Sequence, residues 1–122
     1  MTQTEIAASL HAALGAHGVR KMRLRQAVQN GSSPTPIDEL RRDDCCALGR
    51  LLHEQLAPPQ RAGADYNAVR DLHRQFHETA ADALGLAVAG KAAEATQLIE
   101  GRLASLSTEL GTALTHWRHK LV

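Results

Sequence analysis

The stretch that decides the fold is YNAVRDLHRQFHETAADALGLA, residues 66–87. Its apolar side chains recur at steps of three and four, the spacing of one face of an α-helix. They are Tyr66, Val69, Leu72, Phe76, Ala80, Ala83, Leu84 and Ala87. His73 and His77 border this stripe one helical turn apart, so both imidazoles point the same way. The stretch therefore predicts an amphipathic helix that brings two histidines to an interior seam.

The segment before it predicts two further helices. Thr2-x-x-Glu5 forms a capping box in front of an apolar stripe that ends near Asn30-Gly31. Residues 32–36 read as a loop, after which Thr35 can cap a second, shorter helix. Its apolar positions are Leu40, Cys45 or Cys46, Leu48, Leu52 and Leu56, and Pro58 and Pro59 terminate it.

The segment after it predicts a fourth helix. Gly90 is a natural helix stop, and the few residues around it permit only a tight antiparallel turn. The fourth apolar stripe begins at Leu98 or Ile99 and ends at Trp117 and Leu121. We interpret this long helix as a surface for a dimer or a partner.

Length and composition favour one helical domain. The chain has 122 residues, of which 43% are hydrophobic, but its aromatic residues are only Tyr66, Phe76 and Trp117. A core built from Ala, Leu and Val is typical of closely packed helices, since sheets use more aromatic and β-branched residues. We therefore predict a single domain over residues 1–122, an all-α antiparallel four-helix bundle whose helix 2 is the shortest.

The charge balance excludes several kinds of partner. The formal net charge is +1, from 14 basic and 13 acidic residues, so we expect neither nucleic acid nor an anionic membrane as the main partner. The basic cluster of Arg20, Lys21, Arg23 and Arg25 is interpreted as one solvated helix face. No apolar run has the length of a membrane span, and the N-terminus lacks the basic-then-apolar layout that is typical of a signal peptide. We expect a cytoplasmic protein.

A histidine and cysteine constellation is the strongest functional signal. His17 lies within the first stripe, Cys45 or Cys46 on the second, and His73 and His77 on the third. Each of these residues alone is explained as an ordinary core residue. The histidine pair alone is also a weak signal, because chance produces pairs such as His116 and His119. Together, a thiolate and three imidazoles complete a tetrahedral zinc site, which leaves no position for a catalytic water. We therefore predict a structural or sensing zinc site and no enzymatic activity.

Nearby residues are open to two interpretations. The carboxylates of Asp43, Asp44, Asp71 and Glu78 can fix the ligand imidazoles by accepting their second N–H, or they are only solvated charges. Gly49 interrupts a helix, which is costly unless a neighbour packs closely against it. We expect that it allows another helix to approach closely at the metal.

The order of these residues resembles the chemoreceptor zinc-binding domain family. The family signature is Cys-x-(Leu/Phe)-Gly-x-Trp followed by a histidine pair, and here His17 precedes Cys46-Ala47-Leu48-Gly49-Arg50 and then His73-x-x-x-His77. The resemblance implies Zn²⁺ bound by His17, Cys46, His73 and His77, and it selects Cys46 over Cys45. This chain has Leu51 where the family usually has Trp, and Cys45 is an additional thiol.

The resemblance also implies a function. Members are cytoplasmic regulatory modules, commonly dimeric, attached to chemoreceptors or to enzymes that make cyclic di-GMP, and they respond to zinc or oxidants at the thiolate. Our leading hypothesis is thus a zinc-binding sensory module that signals as a homodimer or through a chemoreceptor or diguanylate cyclase partner. The alternative is a metal-free helical adaptor. A di-iron bundle enzyme is disfavoured, because no pair of Glu-x-x-His motifs is found.

Overall fold

The computed structural model describes residues 1–32 and 35–121. Its α-helices are α1 (Gln3–Asn30), α2 (Ile37–Arg41), α3 (Ala47–Arg50), α4 (Ala64–Val88), α5 (Ala92–Leu98) and α6 (Ala104–Leu121). A π-helical turn at Leu51–Gln55 extends α3, and another at Ile99–Leu103 joins α5 to α6 as one long helix. A 3₁₀ turn covers Pro58–Arg61. The predicted all-α bundle is confirmed, while Ser33 and Pro34 of the predicted loop lie outside the described residues.

The first helix begins and ends as predicted. The Thr2 hydroxyl accepts the N–H of Glu5 at 3.1 Å, and the Glu5 carboxylate accepts the N–H of Thr2 at 3.2 Å. The helix ends at Gly31, which adopts the left-handed conformation that terminates helices. Its buried face includes Leu10, His17 and Leu24. α1 therefore carries His17 into the bundle interior.

The second predicted helix is divided, which corrects the sequence prediction. α2 ends where Arg42 turns to an extended conformation, and residues 42–46 lead to α3. A continuous helix would use the Leu40 carbonyl to accept the Asp44 N–H. Here the Leu40 carbonyl accepts a hydrogen bond from His77 Nδ1 at 2.8 Å instead. The helix start also differs, because Pro36 rather than Thr35 occupies the N-cap position.

The last two long helices pack antiparallel around a tight turn. Gly90 has a φ of 82°, and the Lys91 N–H donates to the Leu86 carbonyl at 2.8 Å, which closes the end of α4. α6 then packs against both α1 and α4. The resulting core is continuous through the bundle and is filled mainly by Leu and Ala side chains.

Trp117, near the end of the helix predicted to form a partner surface, packs inside the bundle. Trp117 is only 7% exposed and meets the Tyr66 ring edge to face, with 6.2 Å between the ring centroids. Exposed large apolar side chains of the described helices are Val19 (44%) and Met22 (54%) on α1 and Val88 (51%) at the end of α4. Within the described part of the chain, no helix is both long enough and apolar enough to cross a membrane.

Candidate metal centre

Cys46 enters the site from the N-terminus of α3. It is the N-cap residue of that helix, with extended φ and ψ angles of −81° and 170°. Its Sγ accepts a hydrogen bond from the Gly49 N–H at 3.4 Å. Because the N-terminus of a helix favours negative charge, this position suits a thiolate. The backbone therefore fixes the direction of the sulfur.

Gly49 makes this position of Cys46 possible. A Cβ atom added at Gly49 would lie 2.8 Å from the carbonyl carbon of Asp43 and 2.8 Å from Cα of Asp44, with the Asp43 carbonyl oxygen closer still. The segment that leads to Cys46 thus crosses directly over Gly49. A close neighbour at Gly49 is confirmed, but it is the backbone of residues 43 and 44, in the segment between α2 and α3, and not another helix.

His73 and His77 are positioned by successive turns of α4. Both are buried, with ring centroids 4.5 Å apart. His73 Nε2 lies 3.2 Å and His77 Nε2 lies 3.6 Å from Cys46 Sγ. The hydrogen bond from His77 Nδ1 to the Leu40 carbonyl places the proton on Nδ1, so Nε2 keeps its lone pair. His77 is therefore oriented as a ligand.

His17 completes the cluster from α1. Its Nδ1 donates to the Ala13 carbonyl at 2.9 Å, which again leaves a lone pair on Nε2. This Nε2 is buried and has no hydrogen-bond partner in the described structure. The centroid of the His17 ring lies 5.2 Å from that of His73 and 6.1 Å from that of His77. A buried lone pair that faces other lone pairs has no explanation in packing alone.

The four side chains present one compact set of ligand atoms. One ligand atom from each of His17, Cys46, His73 and His77 lies within 4.8 Å of every other. Tetrahedral zinc with bonds of about 2.0–2.3 Å separates its ligand atoms by roughly 3.3–3.8 Å. The two distances from Cys46 Sγ, 3.2 and 3.6 Å, are close to that range. The set thus fits a tetrahedral metal ion with sulfur and nitrogen ligands.

Burial keeps the three imidazoles neutral, as metal binding requires. Loss of hydration, together with the neighbouring His77 and His17 rings, lowers the pKa of His73 to about 2. Burial also lowers the pKa of His77 to about 4, against the opposing effect of its hydrogen bond to Leu40. The pKa of His17 is lowered mainly by burial. No proton therefore needs to leave these rings before a metal binds near neutral pH.

The acidic residues considered from the sequence bond elsewhere. Asp44 pairs with Arg42 at 3.0 Å, Glu78 with Arg74 at 3.1 Å, Asp71 with Arg70 at 3.8 Å, and Asp43 with His53 at 3.4 Å. The groups that orient the ligand rings are instead the backbone carbonyls of Ala13 and Leu40. Ala13 lies one turn before His17, so the spacing alone could have suggested it. Leu40 becomes an acceptor only through the tertiary fold.

Cys45 lies outside the cluster. Its Sγ contacts the Asp44 carboxylate at 3.5 Å, whereas the adjacent Cys46 faces the imidazoles. The apolar periodicity of the predicted helix 2 allows either cysteine to be the one that faces the interior. The break between α2 and α3 turns Cys46 inward.

The sequence matches a known protein family. The family model of the chemoreceptor zinc-binding domain matches residues 17–84, more than half of the chain. The chain belongs to the chemoreceptor zinc-binding domain family. The matched segment of this zinc-binding domain begins at His17 and contains all four clustered side chains. No curated protein and no solved structure matches the chain.

Proposed function

We propose that this domain binds one Zn²⁺ ion through His17, Cys46, His73 and His77 and regulates signalling in response to zinc or oxidants. The observation that supports it most is the convergence of four ligand atoms within 4.8 Å, with the buried Nε2 of His17 left unpaired. Zinc would supply the charge that holds Cys46 as a thiolate, and it would satisfy the lone pairs of the three imidazoles.

The metal-free adaptor is the weaker account of the same site. Without a metal, Nε2 of His17 stays buried and unpaired, and Nδ1 of His73 is likewise without a partner among the described residues. An unsatisfied buried polar atom costs about 1–3 kcal/mol. Metal binding removes this cost at His17. Bound zinc therefore explains the cluster better than core packing does.

A regulatory role is favoured over catalysis. Four protein ligands fill a tetrahedral zinc shell, so no position is left for a water or a substrate. Zinc would instead link three parts of the bundle. These are α1, which carries His17, the start of α3, which carries Cys46, and α4, which carries the histidine pair. Loss of the Cys46 ligand would loosen that junction. We propose that the domain is not an enzyme and that this loosening is its signal.

The signal requires a partner. We propose a cytoplasmic homodimer or a complex with a chemoreceptor or a diguanylate cyclase, as in the family. The exposed side chains of Val19 and Met22 on α1 offer an apolar surface for such a contact. Because His17 lies on the same helix, loss of its bond to the metal would shift α1 and the apolar surface on it.

Metal analysis of purified variants tests the site. We expect one zinc per chain in the wild type and a large loss of zinc in Cys46→Ser and His77→Ala. His116→Ala is the matched control, because the side chain of His116 is 64% exposed and lies outside the cluster. Full zinc retention in both site variants would rule out the assignment.

A chelator titration tests the response to oxidants. Hypochlorite treatment should weaken zinc binding in competition with a chelator, because an oxidised Cys46 is no longer a thiolate ligand. The reduced protein is the reference. Unchanged affinity after oxidation would contradict oxidant sensing and leave zinc binding in place.

A further inference from the structure

A groove between α1 and α3 is open to the surface and has Cys46 in its wall. Its volume is about 520 Å³, and its wall includes both His17 and Cys46. Small side chains, Ala12, Ala16 and Ala47, leave it open along its length. Pockets for small molecules commonly have roughly 300–1,000 Å³. The groove is therefore large enough for a small reactant that reaches Cys46.

The charged residues along the groove all have one sign. Arg20 of α1 and Arg50 of α3 line it, whereas none of its lining residues is acidic. Neither arginine forms an ion pair within the described residues, although many other arginines do. Arg20 is also close to the cluster, since its charge adds to the effect of burial in lowering the pKa of each of the three histidines. The groove therefore carries a positive charge beside both His17 and Cys46.

A zinc ion would increase this positive charge. One thiolate and three neutral imidazoles leave a net charge of +1 on the zinc site. Arg20 and Arg50 each add one more positive charge, and no carboxylate of the groove offsets them. Fields of this kind in a narrow cleft concentrate anions and raise their rate of association.

We propose that the groove admits small anionic, thiol-reactive molecules to Cys46 in preference to neutral ones, with Arg20 and Arg50 providing the attraction. This inference rests on the proposed function, because it concerns access to the same thiolate. A carboxylate-bearing disulfide is a suitable probe. The Cys46 thiolate forms a bond to one sulfur of the probe, the disulfide bond of the probe breaks, and the other half leaves as a thiolate with the bonding electron pair. No proton or further oxidant is needed.

The test compares two disulfide reagents that differ in charge. Cys45→Ser protein leaves Cys46 as its only thiol, since the chain has two cysteines. Its reaction with dianionic dithiobis(nitrobenzoate) and with neutral dithiodipyridine is followed together with zinc release to a coloured chelator. Replacing both arginines, Arg20→Gln with Arg50→Gln, should slow the anionic reagent by about tenfold, while the neutral reagent keeps its rate. Added salt should reduce the preference in the parent protein.

Arg23→Gln with Arg25→Gln is the matched control. It removes the same two positive charges from exposed positions of α1, and neither residue lines the groove. It should leave the ratio of the two rates unchanged. An unchanged ratio in the double arginine variant, or equal slowing of both reagents, would overturn the proposal. Zinc content measured before the reaction separates the two hypotheses: protein without zinc contradicts the proposed function, whereas normal zinc with an unchanged ratio contradicts only the groove.

Discussion

Gly49 holds Cys46 in place although it has no side chain of its own. The backbone of Asp43 and Asp44 occupies the space that a Cβ would need. The Gly49 N–H also donates to the sulfur of Cys46. A residue that offers no ligand atom therefore decides where one of the four ligands lies.

We predict that Gly49→Ala weakens the metal site. The added methyl group must push residues 43 and 44 away, a rearrangement that typically costs about 1–3 kcal/mol, and Cys46 would move with them. Zinc content and thermal unfolding of the purified variant measure the two effects. Normal zinc content together with normal stability would contradict the proposed crossing of residues 43 and 44 over Gly49.

Gly15→Ala is the matched control for that variant. Gly15 lies within α1, and among the described residues no atom beyond the adjacent helix backbone lies within 4 Å of a Cβ at this position. Alanine should stabilise the helix there by up to about 1 kcal/mol. A loss of stability in Gly49→Ala together with a gain in Gly15→Ala would show that close packing at Gly49, and not helix propensity, causes the loss.

The candidate ligands could be predicted from residue types and spacing, but their orientation could not. His17, His73 and His77 follow from apolar stripes, because a polar side chain in a seam needs a partner. The choice of Cys46 over Cys45 needed the family resemblance. The acceptor role of the Leu40 carbonyl depends on a helix that ends early, and the sequence of α2 contains no glycine or proline to mark that end.

At the scale of elements, α2 and α3 are the parts that the site holds in place. α2 is joined to α4 by the hydrogen bond from His77 to Leu40 and by an ion pair of 2.8 Å between Arg41 and Asp82. That ion pair is exposed and contributes at most about 1 kcal/mol. Cys46 links the start of α3 to the same helix, and the Tyr66 hydroxyl of α4 donates to the Leu52 carbonyl in the turn that extends α3. Both short helices thus depend on the site more than the long helices do.

Hydrogen exchange should reveal this dependence. We predict that removing zinc with a chelator speeds amide exchange in residues 37–55 more than in α6 around Leu110, because α6 is held by apolar packing. Exchange followed by mass spectrometry on zinc-loaded and chelated protein measures it. A uniform increase over all helices would instead indicate that zinc supports global stability only.

The division of the predicted helix 2 into α2 and α3 could not be predicted from the sequence. The apolar positions from Leu40 to Leu56 fit one helix, and the one glycine between them, Gly49, lies after the actual break at residues 42–46. The structure begins α3 at a cysteine cap, although Asp43 and Asp44 are better N-cap residues by type. The position of the sulfur and the bond to Leu40 outweigh that local preference. Long helices such as α1 and α4 were predictable because many apolar positions repeat in them.

At the scale of the whole molecule, the buried imidazoles make stability depend on pH. The ordinary histidine pKa is 6.5, whereas the pKa is about 4 for His77 and about 2 for His73 in the folded chain. Below the ordinary value the unfolded chain binds protons on these rings and the folded chain does not. Acid therefore favours unfolding, and stability present above that pH is lost as the pH falls.

We predict that chelated, metal-free protein loses stability steeply on acidification. Each affected imidazole contributes a slope of about 1.4 kcal/mol per pH unit below its unfolded pKa. Thermal or denaturant unfolding of the metal-free protein between about pH 7.5 and about pH 5 measures this slope. His73→Gln should show a shallower slope, and a flat profile in the wild type would contradict neutral buried rings.

The central claim is a closed site of one sulfur and three nitrogens in a domain of this family. X-ray absorption at the zinc edge tests it most directly, because it reports the number and type of the ligands. A closed site of this kind should give one sulfur at about 2.3 Å and three nitrogens at about 2.0–2.1 Å. A shell with two sulfurs, a shell dominated by oxygen, or protein that retains no zinc would contradict it.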